Sequence, residues 1–204
     1  MLGIVLCGGK SLRFPYKLFL TNKQGISLPL AAVQMLQKLG IDNIVVCVNS
    51  KDNFFHSLFK QMKGVRLKID SYLGLPKLLT ELASNDDLIV VCGDNAYGSL
   101  TSNSILKHLK TSSPHTVNDL VLTVNNLKDT TKDLHGWDGE QWTNRSDLKA
   151  THSLTTPWFF PQHTIIQESL IETFNRYKAI PLIINDPDWS DLGTVKTVKD
   201  YYNL

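Results

Sequence analysis

Four short runs of aliphatic, largely β-branched residues recur through the first half of the chain: Leu2 to Cys7, Ile44 to Val48, Val65 to Ile69 and Leu88 to Cys92. Between them apolar positions return at helical spacing. The first connecting helix is expected to start near Ser27, with Pro29 in its first turn, and to bury Leu30, Val33, Leu36 and Leu39 before Gly40 ends it. A second helix is predicted over about Asn53 to Met62 and a third over Pro76 to Ala83. A fourth, capped by Thr101, would bury Ile105, Leu106 and Leu109. Strands alternating with helices in this way predict parallel pairing through right-handed crossovers. The fold class expected is therefore α/β, a Rossmann-like, doubly wound, mostly parallel sheet.

After Asp119 the pattern turns β-like. Leu120 to Val124 and Trp158-Phe159-Phe160 read as strands, and Asp138-Gly139 between them is a hairpin turn signal. The polar stretch from Asn125 to Thr156 is too long for plain loop, which predicts a hairpin and a small β-rich subregion able to wall a ligand. A last long helix is expected from about Thr164 to Tyr177, a strand at Ile180 to Ile184, and a terminal helix capped by Thr194. With no repeat, low-complexity tract or linker composition, the chain reads as one α/β domain.

Composition narrows the function classes. Hydrophobic residues make up 42% and charged residues 20% of 204, as in an ordinary folded domain long enough for a sizeable core. A net charge of +2, from 21 basic and 19 acidic residues, gives no nucleic-acid footprint, so any anion site must be local. Cys7, Cys47 and Cys92 each end an apolar run and read as small core residues of a reducing compartment. The N-terminal apolar run is too short to span a bilayer and carries no basic segment before it. The expectation is a cytoplasmic protein acting on neither membrane nor nucleic acid.

Three segments carry chemistry. The first strand breaks at Gly8-Gly9, where two residues without Cβ let backbone N–H groups approach an anion, and Arg13 and Lys17 follow with fixed positive charge. An ordinary tight turn with solvated cations would look similar. The segment is neither the dinucleotide G-x-G-x-x-G nor the P-loop. The second segment is Gly93-Asp94-Asn95-Ala96-Tyr97-Gly98, at the carboxyl end of a buried strand, where open parallel sheets bind ligands. Asp94 could hold Mg²⁺ beside a polyphosphate, or simply cap a turn. The third is Trp189-Ser190-Asp191-Leu192-Gly193-Thr194, with Asp191 as a second carboxylate or a polar residue before a helix; Asp186 and Asp188 read as turn residues around Pro187.

Taken in order, these segments resemble the nucleotidyltransferase family that makes nucleoside-diphosphate sugars. The Gly93-Asp94-Asn95-Ala96-Tyr97-Gly98 segment looks most like that of the glucose-1-phosphate thymidylyltransferases. The resemblance implies transfer of a nucleoside monophosphate from a nucleoside triphosphate to a sugar-1-phosphate, or a similar small phosphorylated acceptor, with release of pyrophosphate. It implies catalytic roles for Arg13 and Lys17, nucleotide binding by Leu6, Gly8, Gly9, Gly74 and Asp94, and Mg²⁺ held by Asp94 and Asp191. Gly74 follows from Leu73-Gly74, which is similar to the family's Leu-Gly-Thr-Ala-Gly segment. His135-Gly136 is similar to a Tyr-Gly pair of the sugar pocket, and Lys149 to the lysine of a Glu-Lys-Pro segment, which assigns Gly136 and Lys149 to the sugar phosphate. The nucleotide-binding half would then cover about 1–118 and the sugar-phosphate half about 119–204.

The chain departs from the family pattern at Ser11, Leu12 and Tyr16, in the short interval to Lys17, and after Gly74, where Leu75-Pro76-Lys77 follows. Its length is near that of a minimal catalytic domain of the family. The Gly9 to Lys17 loop also resembles that of molybdenum-cofactor-type guanylyltransferases and cytidylyltransferases, and a non-catalytic nucleotide-binding module is the alternative from another class. Nucleobase, acceptor and oligomeric state are left open. Trp137, Trp142 and Trp158 could stack on a sugar or cover the sheet.

Overall fold

In the computed structural model the described residues are 1–8, 17–48, 53–69, 74–83, 86–97, 103–104, 107, 119–126, 135–144, 151–184 and 190–191. The chain forms two units, one of residues 1–72, 90–102 and 187–204, the other of residues 73–89 and 103–186. In the first unit the expected strands are present as β1 (Leu2–Leu6), β2 (Ile44–Val48), β3 (Val65–Ile69) and the end of β4 (Leu88–Cys92). They lie in the order β4-β1-β2-β3, and β1, β2 and β3 pair in parallel with Gly3 opposite Ile44 and Ile44 opposite Val65. Ile4, Val5, Val46 and Cys47 are fully buried on both faces of the sheet, which is why these strands read as unbroken apolar runs.

The helix α1 (Leu28–Lys38) starts where the sequence places it. Ser27 accepts a hydrogen bond from the Leu30 N–H and Pro29 occupies the first turn, where its missing donor costs nothing. Its buried face is Leu28, Ala32, Val33, Met35 and Leu36, with Leu39 beyond the end, so the stripe is broader than the expected one and Leu30 is half-buried. The helix α2 (Asn53–Phe59) stops before Met62, and its Phe54 and Phe55 rings meet Phe19 at 4.7 and 5.9 Å. Phe19 belongs to a single 3-10 turn, Lys17–Phe19, that Leu18 also anchors in the core.

The second unit holds helix α3 (Leu75–Leu82) and a mixed sheet. The two-residue strand β5 (Asn95–Ala96) belongs to the first unit. In the second, β6 (Val121–Asn126) pairs antiparallel with β9 (His152–Phe160), and the expected hairpin forms from β7 (His135–Trp137) and β8 (Trp142–Asn144). The Asp138 carboxylate accepts from the Glu140 and Gln141 N–H groups and closes the hairpin turn. A bulge falls between Leu122 and Val124, and there the Thr123 hydroxyl lies 2.9 to 3.1 Å from the Thr155 hydroxyl and the Thr155 and Pro157 carbonyls. The Thr156-Pro157 peptide bond is cis.

The helix α4 (Leu170–Arg176) is shorter than the expected Thr164 to Tyr177. Residues 164–169 stay non-helical because the Thr173 hydroxyl accepts from the Gln167 N–H and donates to the Ser169 carbonyl, tying the approach down as a loop. The strand β10 (Ile180–Ile183) pairs parallel with β6, and Pro181 is tolerated because β10 is an edge. Trp142 and Trp158 are core residues around the fully buried Phe174, whereas Trp137 is half-buried against Trp142. The expected helices after Thr101 and Thr194 fall outside the described residues, apart from helical positions 103, 104 and 107. Among the described residues no helix is long and apolar enough to cross a membrane.

Candidate active site

The carboxyl end of β1 is held from both sides. The Leu6 carbonyl accepts from the Gly93 N–H at 2.8 Å, and the Cys7 N–H donates to the Cys47 carbonyl at 2.8 Å. These bonds bring the Gly93-Asp94 turn, which leaves β4, beside the point where Gly8 opens the glycine segment. Gly93 itself is dictated by space: a Cβ there would stand 2.5 Å from the Cys7 sulfur and 3.2 Å from the Leu6 carbonyl oxygen. The Cys7 thiol is pushed well above its ordinary range, first by burial and then by the charge of Asp94 and the neighbouring Cys47 and Cys92 thiols. Cys7 thus stays a neutral wall of the site and Asp94 lies close enough to act on it electrostatically.

Beyond Asp94 the chain forms β5, which pairs antiparallel with β11 (Ser190–Asp191). Ser190 stands opposite Ala96 and Asp191 opposite Asn95. The two aspartates singled out from sequence are therefore brought together by tertiary structure, one cross-strand rung and one residue apart. Directly opposed residues in such a ladder lie roughly 5 Å apart at Cα. Carboxylates are the donors that a hard divalent cation prefers, with phosphate oxygens and water completing its shell. Among the described residues no group of three or more His, Cys, Asp or Glu is arranged around a metal position.

Tyr97 closes this segment. Its phenolic oxygen accepts from the Cys92 N–H and donates to the Cys92 carbonyl, both at 2.9 Å. Sequence reading included Tyr97 in the motif but gave it no role, and the five-residue return to Cys92 was the available signal. The Cys7 contact with Gly93 was also missed, because it depends on which strand lies beside β4.

The remaining expected residues divide clearly. Leu6 and Gly8 are half-buried at the end of β1, and the Lys17 backbone begins the turn anchored by Leu18 and Phe19. Gly9, Arg13 and Lys149 lie outside the described residues. Gly74, in the second unit, is exposed and precedes α3 with φ +91°, a conformation that glycine adopts without the steric cost of a side chain. Gly136, in the same unit, is buried on β7 opposite Thr143 on β8 and Ser153 on β9. The Thr143 hydroxyl is buried with no hydrogen-bond partner among the described residues.

No family model matches the sequence. No curated protein matches it. Among solved structures, a Bacillus anthracis protein provisionally named a glucose-1-phosphate thymidylyltransferase, whose crystal structure at 2.76 Å was determined in complex with sucrose, is similar with a TM-score of 0.80. The match covers 100% of this chain and 94% of that one at 13% identity, a likeness that establishes the fold. The chain accordingly has an α/β fold with a mixed, mostly parallel sheet flanked by helices, the Rossmann-like architecture of that structure.

Proposed function

We propose that this chain is a nucleotidyltransferase of the nucleoside-diphosphate-sugar type, which moves a nucleoside monophosphate from a nucleoside triphosphate onto a sugar-1-phosphate or a similar small phosphorylated acceptor. The observation that supports it most is the β5–β11 pairing, with Asp191 opposite Asn95 and Asp94 one residue away, beside the glycine turn that follows β1. Fold likeness to a thymidylyltransferase-like structure agrees with this reading.

In the proposed reaction an acceptor phosphate oxygen attacks the α-phosphorus in line. The new P–O bond forms as the bond to the β-phosphate oxygen breaks, and the electron pair leaves on pyrophosphate. Such a transfer depends on positioning and charge neutralisation rather than on a covalent enzyme intermediate. Backbone N–H groups at Gly8 and Gly9 approach the phosphates, Arg13 balances the charge gathering on pyrophosphate, and Lys17 holds the reacting groups. Asp94 and Asp191 would hold Mg²⁺, which when bound would neutralise phosphate charge. By the family resemblance, Gly74 is assigned to the nucleotide, and Gly136 and Lys149 to the acceptor phosphate.

The test is pyrophosphate release over a panel of nucleoside triphosphates and sugar-1-phosphates with Mg²⁺, for wild type and Asp94→Asn. Turnover with at least one pair is expected, and a loss of roughly 10²–10³ in kcat for the variant, the scale of removing one electrostatic stabiliser. Nucleotide binding without turnover on any pair would favour the non-catalytic module instead. Undiminished turnover in Asp94→Asn would remove the carboxylate assignment.

A further inference from the structure

In a β-strand, successive residues direct their backbone N–H and C=O groups to opposite edges. The Gly93 N–H is directed at Leu6 on β1, so the N–H and C=O of Cys92 are directed at the other edge of β4. Both are met there by one atom, the phenolic oxygen of Tyr97, at 2.9 Å each. A hydroxyl can donate once and accept as well, so this oxygen serves as a complete ladder rung. The segment between the two residues consists of Gly93, Asp94 and the strand β5, and β5 is what pairs with Asp191.

We infer that Tyr97 is a positioning residue of the site: by fastening the Cys92 to Tyr97 loop onto β4, it holds in place the Asp94 turn and the strand β5 that pairs with Asp191. The inference rests on the reading of those aspartates as the metal pair. The points that hold the loop include Gly93 hydrogen-bonded to Leu6, Tyr97 to Cys92, and β5 paired with β11. Released at Tyr97, the loop keeps its two ends but loses the constraint across them, so the aspartates are no longer preorganised and the metal must order them on binding. Residues that orient metal ligands without touching the ion are commonly worth about 10–100-fold in affinity.

The experiment measures Mn²⁺ binding to the whole chain without nucleotide, by electron paramagnetic resonance, for wild type, Asp94→Asn and Tyr97→Phe. Phenylalanine keeps the ring and removes both hydrogen bonds. We expect wild type to bind, Asp94→Asn to lose binding, and Tyr97→Phe to bind roughly tenfold more weakly with unchanged circular dichroism. An unaltered Mn²⁺ affinity in folded Tyr97→Phe overturns the inference while leaving the metal pair in place. If wild type and Asp94→Asn bind Mn²⁺ alike, the metal pair itself is wrong and the inference goes with it.

A reciprocal measurement on wild type keeps the test decisive if Tyr97→Phe does not fold. Coupling is mutual, so whatever the clasp adds to metal affinity the metal must add to the clasp. Saturating Mg²⁺ should slow hydrogen exchange at the Cys92 amide by about the same tenfold factor. Exchange at Cys92 that is indifferent to Mg²⁺, in a protein that binds the ion, overturns the positioning role.

Discussion

A side chain at residue 93 has no room, because a Cβ would fall 2.5 Å from the Cys7 sulfur. Gly93→Ala should therefore destabilise by about 1–3 kcal/mol through overpacking, measured by urea unfolding. Because the nearest obstruction is one sulfur atom, the double variant Gly93→Ala with Cys7→Ala should cost less than the sum of the two single changes, a non-additivity that a double-mutant cycle reads directly. Cys7 carries a second expectation. Its folded-state pKa is raised above the unfolded value near 8.5, so the folded form binds the proton more tightly and the contribution to stability is fully present below that pH. As pH rises beyond about 8.5 the unfolded thiol ionises first and stability falls. Denaturation midpoints at pH 7.5 and 9.5 should show a larger drop for wild type than for Cys7→Ala, and equal drops would contradict the burial assigned to this thiol. The Gly-Asp pair was legible in the sequence as a motif, but its reason was not: glycine stands at residue 93 to let β4 hydrogen-bond to the end of β1 beneath a cysteine.

Between elements, Asn175 on α4 does what no periodicity announces. Its side-chain carbonyl accepts from the Trp142 N–H and its amide donates to the Trp142 carbonyl, each at 2.9 Å, so the helix takes up a backbone rung of the β8 strand. The Trp142 indole N–H reaches the Ala179 carbonyl just beyond the helix, and Phe174 packs between Trp142 and Trp158. Asn175→Ala should cost about 1–3 kcal/mol, the penalty of leaving two partly buried backbone groups unpaired, whereas Phe174→Ala should cost about 3–5 kcal/mol by opening a cavity. Thermal unfolding of both variants checks the order, and an Asn175→Ala protein as stable as wild type would mean water replaces the amide. At this scale strands and the first helix were legible because their signals are local: apolar runs, Ser27 as cap, Pro29 and Gly40. The shortened α4 was not, because residues Thr164 to Glu168 fit a helix pattern until the Thr173 hydroxyl binds their backbone.

For the molecule as a whole, the site in the first unit is assembled from distant stretches of chain, β1, the β4–β5 turn and β11, and its assembly should respond to ligand. If the proposed function holds, a nucleoside triphosphate with Mg²⁺ at about a hundredfold over Kd should raise Tm by roughly 5–10 °C, and Asp94→Asn should lose most of that shift. A calorimetric scan with no shift for any triphosphate would count against nucleotide binding altogether. The sequence by itself determined the α/β class, the four parallel-type strands, the first helix with its cap and the hairpin after β6, because each depends on the residues of one short window. It also marked Gly8, Asp94 and Asp191 as chemically notable. Only the tertiary structure decided that Asp191 stands opposite Asn95, that Cys7 presses on Gly93, and that Tyr97 returns to Cys92. Those relations are set by which strands become neighbours and in what register, and register is fixed by packing between segments far apart in the chain rather than by any residue's own preference.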